Sequence, residues 1–128
     1  DLYGSEDLAA MTDLAADVLV GMKSSKDVLY YSEKILKTKA DFSEFLSVME
    51  ILLRDLLLYV EGSEDFVFDS VTLSKIKSAQ GFSRGAILYA IDSVGEAEKR
   101  KRSNTNQTML VEWLLFKILE GKYKWRKS

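Results

Sequence analysis

The segment Phe42–Val60 constrains the fold more than any other part of the chain, because its apolar residues recur at the spacing of an α-helix. Residues spaced in this way lie on one side of a helix and form a stripe that faces the core. Additional apolar residues widen the stripe, so the sequence predicts a helix at the centre of the fold. The stripe consists of Phe42, Phe45, Leu46, Met49, Leu52, Leu53, Leu56, Leu57 and Val60, and it is widened by Val48, Ile51 and Leu58.

Residues that favour helix ends flank this segment. Asp41, followed three residues later by Glu44, resembles a capping box, in which both side chains accept hydrogen bonds from backbone amides at the start of a helix. Gly62 suits the left-handed conformation that ends many helices. We therefore predict that the helix begins after Asp41 and ends before Gly62.

Helical spacing also recurs on both sides of this central segment. The chain of 128 residues has no proline, where average usage of about 5% would give roughly six, and proline breaks helix interiors. The sequence therefore predicts one all-α domain, a compact bundle of five or six helices without strands. Besides the central helix, the predicted segments are about 8–22, 25–40, 71–80 (broken by Gly81), 83–102 (capped by Ser83), and a final helix that starts at Asn104 with Gln107 three residues later.

The last predicted helix is apolar on more than one side. Between Met109 and Leu119 only Glu112 and Lys117 interrupt the apolar residues, whereas an ordinary surface helix carries one apolar stripe. Such a helix is buried on more than one side, either within its own domain or against another chain.

The chain contains neither histidine nor cysteine, so zinc, iron–sulfur and di-iron sites and the commonest general base lose their usual side chains. Ser74 and Lys77 have the S-x-x-K spacing of penicillin-recognising enzymes, but the companion motifs are missing. Acidic residues after the central helix lack the spacing of an EF-hand loop, and we interpret them as a solvated loop. We expect no catalytic residue, metal or cofactor. The acidic residues are Glu61, Glu64, Asp65 and Asp69.

The net charge of −2 gives the chain no overall attraction to nucleic acid or to anionic membranes. No apolar run approaches the roughly 20 residues of a membrane-spanning helix, and the acidic N-terminus does not resemble a signal peptide. With no cysteine present, we expect a cytoplasmic protein. Because the sequence does not begin with Met, we also expect a fragment of a longer protein.

Several stretches, taken in order, resemble a known family. The sequence Leu-Leu-Arg-Asp-Leu-Leu lies in the central helix, within residues 51–58. A loop, a short helix, a helix that ends in charged residues, Asn104 and Asn106 in an Asn-x-Asn sequence, and a leucine-rich last helix follow it. This order is similar to the C-terminal collar domain of the delta prime subunit of the bacterial DNA polymerase III clamp loader, over about residues 8–119. The corresponding domain of the tau/gamma or delta subunit is an alternative.

The resemblance implies a domain that assembles subunits during DNA replication. In that family the collar is helical, binds no nucleotide, and holds five subunits in a ring above their ATPase domains. The phosphate-binding sequence G-x-x-x-x-G-K-[ST] is absent here, so an ATPase module would lie upstream. The implied partners are the tau/gamma and delta collar domains, with no direct contact to nucleic acid, membrane or small molecules.

The resemblance also suggests where a neighbouring subunit would bind. One side of the last helix would pack on its own core and another side on a neighbouring collar. Aromatic side chains are the usual hot spots of interfaces, and charged pairs there set the register between partners. The candidate interface residues are Trp113, Phe116, Lys117, Leu119 and Glu120 in the last helix, Tyr89 and Ile91 as weaker candidates, and Arg54, Asp55 and Arg84.

Two basic stretches support a different function. Residues 99–102 and 122–127 are rich in Lys and Arg, and the second includes Tyr123 and Trp125, a combination that can bind phosphates and stack bases. A small helical nucleic-acid-binding domain is therefore the alternative hypothesis. We favour a simpler interpretation, in which basic side chains stabilise the negative end of a helix and continue into a solvated tail. A helical ligand-binding regulator would need an apolar pocket, which the sequence does not reveal.

Overall fold

The computed structural model describes residues 5–38, 41–63, 70–77, 82–103 and 106–125, and within these ranges it contains six helices and no strand. The prediction of an all-α bundle of five or six helices is confirmed. The helices are α1 (Ser5–Gly21), α2 (Ser25–Lys37), α3 (Phe42–Val60), α4 (Ser70–Lys77), α5 (Arg84–Arg102) and α6 (Gln107–Lys124).

Helix α3 lies at the centre of the bundle and packs against α1, α4 and α5. Its residues Leu46, Met49, Leu52 and Leu53 are completely buried. Burial of each such side chain contributes about 1.5–3 kcal/mol to folding. The central position that the apolar stripe predicts for this helix is confirmed.

The N-terminus of α3 is capped, although not by the predicted capping box. The Asp41 carboxylate accepts a hydrogen bond from the backbone amide of Ser43 at 3.2 Å, which confirms Asp41 as the N-cap. Among the described residues Glu44 makes no reciprocal bond to the Asp41 amide, and its Oε1 atom is buried there without a hydrogen-bond partner. The carboxylate of Asp41 instead lies 3.6 Å from Lys101 of α5, which ties this helix start to its neighbour.

The C-terminus of α3 ends as predicted at Gly62, whose φ angle is +86°. The amide of Gly62 donates to the carbonyl of Tyr59 at 3.1 Å, and the amide of Ser63 donates to the carbonyl of Leu58 at 2.8 Å. These two bonds form a Schellman motif, which satisfies carbonyl groups that the helix itself leaves without donors. A left-handed residue is required at this position, and glycine adopts that conformation most easily.

Helix α6 packs mainly against α5 and α2. The buried residues occupy about half of its circumference, and much of its two-sided apolar character is therefore used inside the domain. They are Leu110, Val111, Leu114, Leu115, Ile118, Leu119, Gly121 and Lys122.

The start of α6 differs from the prediction by two residues. Asn106 is the N-cap, and its side-chain oxygen accepts a hydrogen bond from the amide of Met109 at 3.1 Å. The predicted cap, Asn104, lies outside the described residues, as do Gly81 and the acidic residues Glu64, Asp65 and Asp69. A cap three residues before its amide donor is the usual geometry, and Asn106 satisfies it.

Candidate assembly surface

Three of the candidate interface residues meet in a polar group on the surface formed by α5 and α6. The Tyr89 hydroxyl of α5 donates a hydrogen bond to Oε1 of Glu120 in α6. Nζ of Lys117 lies 3.3 Å from the same Glu120 oxygen and 3.4 Å from the Tyr89 hydroxyl oxygen. We call these three residues the Tyr89 cluster. The sequence predicts each of the three as an interface residue, and the structure shows that they contact one another.

Close packing of the two helices positions this cluster. At Gly121 the helices approach so closely that a Cβ atom there would lie 2.9 Å from Cδ2 of Tyr89. The absence of a side chain at Gly121 therefore leaves room for the Tyr89 ring, whose hydroxyl reaches the adjacent residue Glu120.

Hydrogen bonding changes the proton affinities of the cluster. The bond to Glu120 raises the pKa of Tyr89, and the same bond lowers the pKa of Glu120 below its usual value. The bond to Tyr89 raises the pKa of Lys117. The raised pKa values keep Lys117 charged and Tyr89 neutral, and the lowered pKa keeps Glu120 charged. The cluster therefore presents a fixed pair of opposite charges at neutral pH.

Trp113 lies beside this cluster and is only partly accessible. Its ring packs against the core and is covered by Arg100, whose guanidinium carbon lies 4.2 Å from the ring centroid. Nζ of Lys117 lies 5.9 Å from the same ring. Trp113 therefore contributes to folding of the domain as well as to its α6 surface.

The outer side of α6 carries three large exposed side chains at seven-residue spacing. Met109 is 67% exposed, Phe116 47% and Tyr123 56%. Residues seven apart lie on the same side of a helix, and we call these three the outer stripe. Phe116 is one turn from both Trp113 and Glu120, so the stripe borders the Tyr89 cluster. Of these three residues, only Phe116 is among the interface candidates predicted from the sequence, although the seven-residue spacing also indicates Met109 and Tyr123.

Tyr89 also lines a groove of about 450 Å³. Two of the predicted interface residues, Arg84 and Tyr89, line it, and Nε of Arg84 lies 3.4 Å from Oε1 of Glu61. The Ser83 hydroxyl donates to the carbonyl of Trp125, which holds the end of α6 beside the start of α5. The groove itself is not evident from the sequence, because Trp125, which follows α6, is brought beside α5 only when the chain folds. The groove is lined by Arg84, Gly85, Leu88, Tyr89, Asp92 and Trp125, and we call it the α5 groove.

Four candidate interface residues do not join this surface. Asp55 is completely buried and Leu119 is 8% exposed, so we withdraw both as contacts for a partner. Each lies on the core side of its helix, in phase with buried leucines. Ile91 is half-buried against the core, and Arg54 is an exposed residue of α3 that lies 3.9 Å from Glu50 of the same helix.

Lys122, which sequence analysis assigns to a solvated basic tail, is 6% exposed. Its Nζ donates to the carbonyl of Leu19 at 2.7 Å and to the carbonyl of Met22 at 2.8 Å, and it lies 4.8 Å from the centroid of the Phe82 ring. The lysine thus caps the C-terminus of α1, where helix carbonyls have no intrahelical donors. Burial, followed by the positive charge of Lys23, lowers its pKa from 10.5 to about 8.

The two basic stretches do not present all their charges to solvent. In the first, Arg100 lies 3.2 Å from Glu96 and Lys101 pairs with Asp41. In the second, Lys122 is buried, and Arg126 and Lys127 lie outside the described residues. Several of the cations that would bind phosphates are therefore engaged within the domain.

Over the ranges that the structure describes, there is no cluster of three or more potential metal-binding side chains, and none of the helices is long and apolar enough to cross a membrane. Ser74 is exposed on α4, and Nζ of Lys77 lies 4.3 Å from the centroid of the Tyr59 ring. A comparison with known proteins found no matching family model, no matching curated protein and no matching solved structure.

Proposed function

We propose that this chain is a non-catalytic assembly domain, a collar domain of a bacterial clamp-loader subunit of the delta prime type. It would belong to a longer cytoplasmic protein whose ATPase module lies upstream. The observation that carries the proposal is the outer stripe of α6, which borders the Tyr89 cluster on the last helix of an all-helical bundle. The family resemblance assigns the contact between subunits to this helix.

The chemistry of this surface is that of a protein interface. Aromatic residues and Met are enriched at the centres of interfaces, and charged residues are found at the rim. Phe116 and Met109 are exposed on α6, and the Lys117–Glu120 pair lies beside them. A partner that covers the stripe would gain about 25 cal/mol per Å² of buried apolar surface, less the cost of ordering. The charge pair would favour one register over others.

Sedimentation velocity of this domain mixed with the tau/gamma collar domain tests the proposal. We expect a larger species at both low and high salt, because an apolar interface responds little to ionic strength. Phe116→Ala should weaken the complex, whereas the matched control Leu29→Ala, which removes a 60% exposed side chain of α2, should not. If a folded partner causes no shift, the proposal is wrong.

The nucleic-acid hypothesis predicts a strong dependence on salt, whereas the collar proposal predicts a weak one. Binding through several phosphates would weaken steeply as salt rises. The burial of Lys122 and the pairing of Lys101 with Asp41 argue against it, because both cations already have partners within the domain. Salt-sensitive binding of DNA, together with no binding of the collar, would favour this alternative over assembly.

A further inference from the structure

One exposed ridge of α5 carries a positive residue, an apolar residue and a negative residue in order. Arg84, Leu88 and Asp92 are each one turn apart and all are exposed. Eight residues of helix separate the two charges by about 12 Å along the axis. Reversal of the direction of this ridge exchanges its positive and negative ends, so the ridge is complementary to an antiparallel copy of itself.

Both charges can accept a further partner. The Arg84 side chain is 59% exposed, and a guanidinium has five N–H donors, of which the contact with Glu61 uses Nε. Asp92 is exposed and makes no hydrogen bond or ion pair with any residue in the described ranges. The contact with Glu61 leaves the other N–H donors of Arg84 able to bind a partner, and the Asp92 carboxylate can accept hydrogen bonds from one.

The surface beside the ridge is concave. The α5 groove lies between Tyr89 and Trp125, and Gly85, which has no side chain, forms part of its lining. A neighbouring apolar side chain can therefore approach the helix backbone closely at this position. Leu88, the apolar residue of the ridge, is exposed and lines the groove.

We propose that the α5 groove binds α5 of a second copy of this chain, antiparallel, with the two Leu88 side chains next to a two-fold axis. In this arrangement Arg84 of each copy faces Asp92 of the other, and Leu88 enters the opposite groove. The same residues serve both sides of the contact, as two-fold symmetry requires. The proposal goes beyond the collar function, because it leaves the outer stripe of α6 open to a different subunit.

Helix electrostatics support the antiparallel direction. It brings the carboxylate of one copy to the N-terminal end of the other copy's α5, where the helix dipole is positive and where Arg84 lies. Residues four apart form the ridges that interlock in the commonest class of helix packing. The contact is limited to a few turns of one helix, so we expect a weak dimer that depends on concentration.

Charge reversal provides the test, measured by sedimentation velocity of the chain from about 10 µM to about 1 mM, a range that suits a small interface. The wild-type chain should self-associate. Arg84→Glu alone and Asp92→Arg alone should each weaken self-association about tenfold or more, because each places like charges opposite one another. An equimolar mixture of the two variants should associate again, since the introduced acid of one then faces the introduced base of the other.

Two controls separate this contact from other effects. Arg54, like Arg84, is an exposed arginine that pairs with a glutamate of this chain, but it lies on α3. Arg54→Glu should therefore leave self-association unchanged. Phe116→Ala should likewise leave it unchanged while it weakens binding to a collar partner. Thermal unfolding checks that each variant is folded.

A wild-type chain that stays monomeric at the highest concentration would overturn the proposal. So would single variants that associate as well as the wild type, or a mixture of the two that stays monomeric. None of these outcomes depends on the clamp-loader partner, so failure of the dimer and failure of the collar function are distinguishable.

Discussion

Lys122 is the residue whose role changes most between sequence and structure. Its charge suggests a solvated tail, yet its position four residues after Ile118 places it on the buried side of α6, where it caps α1. Lys122→Met keeps the apolar stem and removes the donors. The carbonyls of Leu19 and Met22 then lose a buried partner, and we expect the free energy of unfolding to fall by about 1–3 kcal/mol.

Chemical denaturation at pH 7 measures this loss. Lys124→Met is the matched control, because Lys124 is an exposed lysine of the same helix turn. It should change the free energy of unfolding by no more than about 0.5 kcal/mol. Equal effects of the two substitutions would show that the buried cap does not contribute to stability.

The lowered pKa of Lys122 predicts a pH dependence with a definite sign. Between about 8, its value in the folded chain, and 10.5, its ordinary value, the unfolded chain binds more protons at this site than the folded chain. The free energy of unfolding contributed by Lys122 therefore rises with pH across this window, with a slope of at most about 1.4 kcal/mol per pH unit. The stability difference between wild type and Lys122→Met, measured from pH 7 to pH 10.5, isolates this term. A difference that is constant with pH contradicts the assignment.

At the scale of elements, one glycine at a helix end and one within a helix give a paired prediction. Gly62 ends α3 with φ at +86°, and Gly62→Ala should lower the free energy of unfolding by about 1–2 kcal/mol, because a Cβ atom disfavours left-handed backbone. Gly95 lies within α5, and a Cβ atom there would meet nothing within 4 Å. Gly95→Ala should therefore raise the free energy of unfolding by about 0.5–1 kcal/mol. Denaturation of both variants checks the opposite signs, and the same sign for both would contradict this account of the two glycines.

The elements themselves follow from local patterns, whereas their neighbours do not. The spacing of apolar residues in α3 and the caps at Asp41, Gly62 and Ser83 are local features, and the structure confirms them. The two apolar sides of α6 are also evident in the sequence, but the choice of α2 as its second neighbour depends on how the whole chain packs. For the same reason, the sequence identifies Tyr89 and Glu120 separately, while their hydrogen bond and the α5 groove require the structure.

For the whole molecule, folding and assembly should respond to different residues. Trp113 packs on the core under Arg100, so Trp113→Ala should lower the free energy of unfolding by about 1–3 kcal/mol, less than for a fully buried Trp. Phe116 is 47% exposed, and Phe116→Ala should change stability by about 0.5 kcal/mol or less. In a mixture with a tau/gamma collar, however, Phe116→Ala should reduce complex formation about tenfold or more, since aromatic anchors dominate interface energies.

Denaturation of each variant, followed by sedimentation of the folded variant with its partner, separates the two effects. A large loss of stability in Phe116→Ala would place that side chain in the domain's own packing and remove the centre of the proposed interface. Unchanged stability together with unchanged association would leave the outer stripe without a role in assembly. A Phe116→Ala variant that is stable but does not bind the collar partner would support contact between subunits through the outer stripe. The same variant should still self-associate through the α5 groove.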